Sequence, residues 1–155
     1  MKFNTVRFGE IEVGEDKVIT MTEGLLGFPS LTRFIILDHA PDSPFHYFQA
    51  VDDPEVTFII IDPLCFKPDY KVAIAASELA DLKLEKAEDA VVCAIVTVPD
   101  DPNEMTANLQ GPLIINAEKR LARQVVLYEG PYTTKHKIFG AVPAQPQEAE
   151  KLSAA

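Results

Sequence analysis

Arg33-Phe34-Ile35-Ile36-Leu37-Asp38, Phe45-His46-Tyr47-Phe48-Gln49-Ala50-Val51 and Val56-Thr57-Phe58-Ile59-Ile60-Ile61-Asp62 are successive runs of β-branched and aromatic residues, separated by stretches rich in Asp and Pro. Such residues suit a pleated surface, and Asp and Pro between them mark the ends of strands. The unbroken Phe58-Ile59-Ile60-Ile61 has no polar face, which predicts a strand covered on both sides.

The same character extends in both directions. Val6, Phe8, Ile11 and Val13 alternate with polar residues but slip by one across Gly9-Glu10, predicting a bulge or a turn at Gly9. Val18 to Met21 is the next short strand, and Gly24 to Pro29 is a turn. Downstream, Ala90 to Val98, Leu113 to Ile115 and Arg123 to Tyr128 are further strands, with turns at Pro99-Asp100-Asp101-Pro102-Asn103 and Glu129-Gly130-Pro131. Ser77-Glu78-Leu79-Ala80-Asp81-Leu82 predicts one short helix, with Ser77 as N-cap and an early acid to suit its dipole. About eight short strands and one short helix give an all-β, mainly antiparallel fold, a small β-barrel-like or sandwich domain.

A chain of 155 residues can bury about 70% of its unfolded surface in a single core. One domain over 1–139 is expected. From Gly140 to Ala155 the composition turns to Ala, Pro, Gln and Glu, too poor in large apolar residues to offset its ordering entropy, so a disordered tail is expected. Met1-Lys2-Phe3-Asn4-Thr5-Val6-Arg7 puts charged and polar groups where a signal peptide needs an apolar run, and no stretch is long and apolar enough to span a bilayer. A cytoplasmic protein away from membranes is expected. The two cysteines, Cys65 and Cys93, are flanked by apolar residues and are expected to be buried, reduced thiols.

The 14 basic against 24 acidic residues give a net charge of -10, which repels nucleic-acid phosphates and anionic membranes. The charges are also segregated. Residues 34–66 hold the six acids Asp38, Asp42, Asp52, Asp53, Glu55 and Asp62 and no Lys or Arg. Residues 119–137 hold Lys119, Arg120, Arg123, Lys135 and Lys137 against Glu129 alone.

Few residues carry a chemical signature. His39, His46 and His136 match no zinc spacing with Cys65 or Cys93, and His39 and His46 flank a turn built on Pro41-Asp42-Ser43-Pro44. Asp52-Asp53-Pro54-Glu55 reads as a solvated hairpin tip rather than a catalytic carboxylate pair, because adjacent strand residues point to opposite faces. Neither a nucleophile motif nor a phosphate-cradling glycine loop is present. The sequence predicts no enzyme, no metal and no cofactor. Two other readings compete: an OB-like RNA-binding module, which has aromatics available but lacks a basic track, and a metal-dependent hydrolase using His39, His46 and the central acids.

Three ordered blocks carry a family likeness: Glu23-Gly24-Leu25-Leu26-Gly27-Phe28-Pro29, Pro44-Phe45-His46-Tyr47-Phe48-Gln49-Ala50 and Asn108-Leu109-Gln110-Gly111-Pro112-Leu113-Ile114-Ile115-Asn116. Together with Phe58 to Pro63 and Gln124-Val125-Val126-Leu127, which looks like the family's final core strand, they resemble the flagellar assembly factor FliW family from about Phe3 to Ile138. The chain departs from the family at Met21-Thr22, where Phe-Pro is frequent. The resemblance implies a barrel-like protein that binds newly made flagellin and the translational regulator CsrA, relieving CsrA repression until flagellin accumulates and draws it away.

Within these blocks Gly24 and Gly27 are expected to permit turn dihedrals or close packing, and Leu25, Leu26 and Phe28 to plug the core. Asn108 and Asn116, the latter beyond Pro112, are expected to satisfy backbone groups at strand ends. CsrA is a basic protein, so Asp52, Asp53 and Glu55, then Asp100, Asp101 and Glu104, are the expected contacts. Flagellin is expected to take an apolar patch rimmed by polar groups.

Overall fold

Period-two alternation sorts these strands into a wall with an apolar lining on each side. The structure is a computed structural model describing residues 1–38, 40–128 and 130–139. The tail expected over 140–155, His39 in the turn and Glu129 in the basic stretch lie outside the described residues.

The strands are β1 (Lys2–Thr5), β2 (Gly9–Glu12), β3 (Ile19–Met21), β4 (Arg33–Asp38), β5 (Phe45–Ala50), β6 (Thr57–Ile61), β7 (Val91–Thr97), β8 (Thr106–Asn116), β9 (Leu121–Gln124) and β10 (His136–Lys137). Among the described residues the one α-helix, α1, spans Ala76–Asp81. Strands β3 to β8 run as antiparallel neighbours in chain order. β9 pairs antiparallel with β8 and parallel with β3, which closes seven strands into a barrel. β10 joins the outer edge of β8, and β1 and β2 form a separate hairpin. The all-β expectation holds.

Ile60 and Phe58 of β6 face inward with Phe34, Phe48, Met21, Leu113, Ile115 and Ala122. The rings of Phe34 and Phe48 stack at 4.4 Å. Ile61 and Ile59 face outward and are covered by Phe66, Tyr70, Val72 and Tyr132 from the loops after β6 and β9. Leu82 and Leu84, beyond α1, cover Ile114 in the same way. This double covering explains the unbroken apolar run of β6: either face of the strand meets protein. The slip reflects a turn at Val6–Phe8, after which Gly9 opens β2, and β1 and β2 pair from Thr5↔Gly9 to Lys2↔Glu12; Val6 and Phe8 thus lie in the turn rather than on a strand.

Four local expectations are corrected. Ser77 does not cap α1; Ala75 occupies that place, and the Glu78 carboxylate accepts the Ala75 N–H at 2.9 Å. The strand expected at Leu113 to Ile115 runs from Thr106 to Asn116. It swells into a bulge, because Cys93 pairs with Leu113 whereas Ile95 pairs with Asn108. Asn108 Oδ1 makes the bulge affordable by accepting the N–H groups of Gln110 (3.1 Å) and Gly111 (2.8 Å). The strand expected at Arg123 to Tyr128 ends at Gln124, beyond which Val125 and Leu127 bond the bulge carbonyls of Pro112 and Gln110. It remains the last strand of the closed barrel, followed among the described residues only by the two-residue edge strand β10. Cys65 is exposed rather than buried, while Cys93 is half-buried in the barrel and its thiol is pushed up to about 11, chiefly by burial.

Candidate partner-binding surface

The antiparallel order carries the β3–β4, β5–β6 and β7–β8 connections to one end of the barrel. Residues 22–32, 51–56 and 98–105 therefore share that end. Two acidic segments separated by more than forty positions, and the glycine-rich apolar block, come together by topology alone.

The apolar block forms a tight turn. Leu25 C=O accepts the Phe28 N–H at 2.8 Å, with Gly27 third in the turn at φ +88°. That is the place where a type II turn needs a positive φ and so favours glycine. Gly24 is constrained differently, since a Cβ there would lie 2.3 Å from the Pro29 carbonyl oxygen. Leu25 points into the barrel and is 2% exposed. Leu26, at the apex, is 63% exposed and Phe28 is 39% exposed, so the expectation that both plug the core is corrected. Phe28 still packs edge-on against Phe58 at 5.4 Å.

The apex is anchored. Gln124 Oε1 accepts the Leu26 N–H at 3.0 Å while Gln124 Nε2 donates to the Gly111 carbonyl at 2.9 Å. One side chain thus joins the turn to the β8 bulge. Arg123, on the outer face of β9, bonds Asp81 of α1 and lies 3.6 Å from Glu23. At the other end of β8, Asn116 Nδ2 donates to the Leu82 carbonyl at 2.8 Å and its Oδ1 accepts the Lys119 N–H at 3.1 Å. Pro112 is buried in the bulge.

The six expected acids sort into three kinds. Asp52 is held by the Arg33 guanidinium, whose Nε lies 3.0 Å from Oδ2, and this hydrogen bond lowers its pKa below the ordinary carboxylate value. Glu104 pairs with Lys137 at 3.2 Å. Asp53 and Asp101 spend one oxygen on the N–H groups of Glu55 and Asn103, at 3.1 and 3.0 Å. Glu55 and Asp100 are exposed and enter no ion pair among the described residues. Negative charge free to meet a partner thus centres on Glu55 and Asp100, with Asp53 and Asp101 beside them.

His46 lies 3.1 Å from Asp38, and His136 stacks on Phe66 with its pKa lowered, chiefly by burial. Among the described residues no three His, Cys, Asp or Glu side chains gather as a metal site. No helix among them is long and apolar enough to cross a membrane.

A family model described as FliW protein matches residues 2–138. The chain belongs to the FliW family. Its relatives include a flagellar assembly factor FliW of Natranaerobius thermophilus, 44% identical over 140 residues, covering 90% of this chain and 93% of the relative. Another, from Bdellovibrio bacteriovorus, is 40% identical over 139 residues, covering 90% of this chain and 79% of the relative. The crystal structure of a flagellar assembly factor FliW superposes with a TM-score of 0.84 at 33% identity, covering 92% of this chain and 99% of that one. The likeness of sequence and fold makes this FliW-family chain a flagellar assembly factor. Sequence reasoning passed over Gln124 and Arg123 as tethers; their partners lie far away along the chain, and only the strand order of the FliW barrel reveals them.

Proposed function

We propose that this chain is a non-enzymatic regulator of flagellar assembly that acts by occupancy, binding flagellin and the translational repressor CsrA in the cytoplasm. By holding CsrA it relieves repression of flagellin translation; flagellin that has not been exported binds it in turn and releases CsrA. Synthesis is thereby matched to export. The observation that carries this reading is the exposed Leu26–Phe28 turn, tethered by Gln124 and flanked at the same barrel end by Glu55 and Asp100.

Each part of that surface has a physical role. Leu26 is a preorganised apolar anchor, because its turn is closed and tethered before any partner arrives, which limits the entropy lost on binding. The free carboxylates steer a basic partner and contribute to encounter rate and orientation more than to affinity. Calorimetric titration of each partner with and without the other tests the reading. Flagellin should weaken CsrA binding by the same factor as CsrA weakens flagellin binding, as linkage requires. Failure of either partner to bind contradicts it.

A further inference from the structure

β3 is only three residues long and pairs with β4 no further than Phe34. Antiparallel ladders alternate, so each residue directs its main-chain N–H and C=O to one neighbour only. The Met21 N–H bonds the Thr32 carbonyl at 2.7 Å, which sets Thr32 and Phe34 toward β3. The Val51 N–H bonds the Arg33 carbonyl at 2.9 Å, which sets Arg33, Ile35 and Leu37 toward β5. The main-chain groups of Ile36 and Asp38 therefore point along the side of β4 that β3 leaves uncovered.

The preceding chain does not extend β3 to fill that side. Glu15–Lys17 winds into a 3-10 turn, closed by Lys17 N–H to Gly14 C=O at 3.0 Å and Val18 N–H to Glu15 C=O at 3.2 Å. Ile36 is half-buried, and Asp38, Glu15 and Asp16 are exposed. Neither Glu15 nor Asp16 enters an ion pair among the described residues. Exposed main-chain donors and acceptors on a strand edge are a template for another strand.

We propose that the edge of β4 at Ile36 and Asp38, which no strand covers among the described residues, accepts an extended peptide segment carrying basic side chains, by strand addition. Main-chain bonds to Ile36 and Asp38 supply the register, and alternate side chains of the incoming segment fall on the two faces of the sheet. One face continues that of half-buried Ile36 and suits an apolar residue; Asp38, which lies 3.1 Å from His46, together with Glu15 and Asp16 outnumbers the exposed Lys17 of the same turn, so the surroundings favour Lys or Arg. A second copy of this chain fits worse, since antiparallel pairing of two β4 edges brings the acids of two molecules together, each of net charge -10. The edge lies at the end of the barrel away from Leu26, so it is independent of the surface assigned to flagellin and CsrA.

The test uses the full chain and a short labelled peptide of alternating Lys and Val, followed by fluorescence anisotropy and by amide exchange in NMR spectra. The Lys/Val peptide should bind at low salt and slow exchange of the Ile36 and Asp38 amides. Affinity should fall at least about tenfold when alternate peptide nitrogens on the bonding side are methylated, and likewise in an Asp38→Lys variant whose spectrum shows the fold intact. Absence of binding at low salt overturns the proposal. So does equal affinity for the methylated peptide, which would mean charge attraction alone, or concentration-dependent protection of the same amides without peptide, which would mean self-pairing.

Discussion

The Gln124 side chain meets the Leu26 main chain at 3.0 Å, joining residues 98 positions apart in the sequence. Because the same amide bonds the Gly111 carbonyl, it ties the exposed turn to the β8 bulge. Gln124→Leu should lower unfolding free energy by about 1–3 kcal/mol, since it leaves the half-buried Gly111 bond unmade. Urea denaturation measures this, and a change near zero would show that water replaces the amide.

Leu26 stands clear of the core, so Leu26→Asp should move stability by no more than ~0.5 kcal/mol. The same variant should weaken flagellin binding at least about tenfold, as loss of a central apolar anchor does. Calorimetry on the folded variant decides the matter; unchanged affinity would remove Leu26 from the interface.

Glu55 and Asp100 carry free charge, unlike Asp52 and Glu104. Glu55→Lys with Asp100→Lys should slow CsrA association about tenfold at low salt, with a smaller effect at high salt where surface charges are screened. Stopped-flow kinetics check this. An association rate that ignores both charge and salt would place the CsrA surface elsewhere.

Asp52 gives a pH dependence. Its pKa is lowered in the folded state, chiefly by the hydrogen bond from Arg33. The pair therefore stabilises the protein above the ordinary carboxylate pKa of about 4, and the contribution is lost as pH falls through the lowered value. Both partners are substantially exposed, so the contribution is that of a surface pair, about 0.2–1 kcal/mol. Asp52→Asn should be less stable than the parent by that much at neutral pH and equal to it in strong acid. A gap that widens on acidification would contradict the assignment.

Much of the barrel was legible because its strands advertise themselves. Phe58-Ile59-Ile60-Ile61 has no polar face, and the structure covers both. β8 was legible only in part, because Gly111-Pro112 interrupt the apolar run ahead of Leu113, and the strand spans them as Asn108, Gln124 and the Tyr70 hydroxyl, bonded to Leu109 C=O at 2.7 Å, satisfy the bulge. The candidate surface was harder to read. Leu26 is as apolar as Leu25, and only the turn geometry sends one outward and the other inward. The Arg33–Asp52 pair is set by the β4–β5 register, so nothing in the local sequence distinguishes Asp52 from its free neighbours.

The central claim is that this protein acts by occupancy. It is tested most directly by titrating it into a defined translation system in which CsrA represses flagellin synthesis. Relief should rise with added protein and saturate once it matches CsrA at a fixed molar ratio, and added flagellin should restore repression in proportion. Relief of a large molar excess of CsrA by trace amounts would contradict the account, because only turnover could produce it.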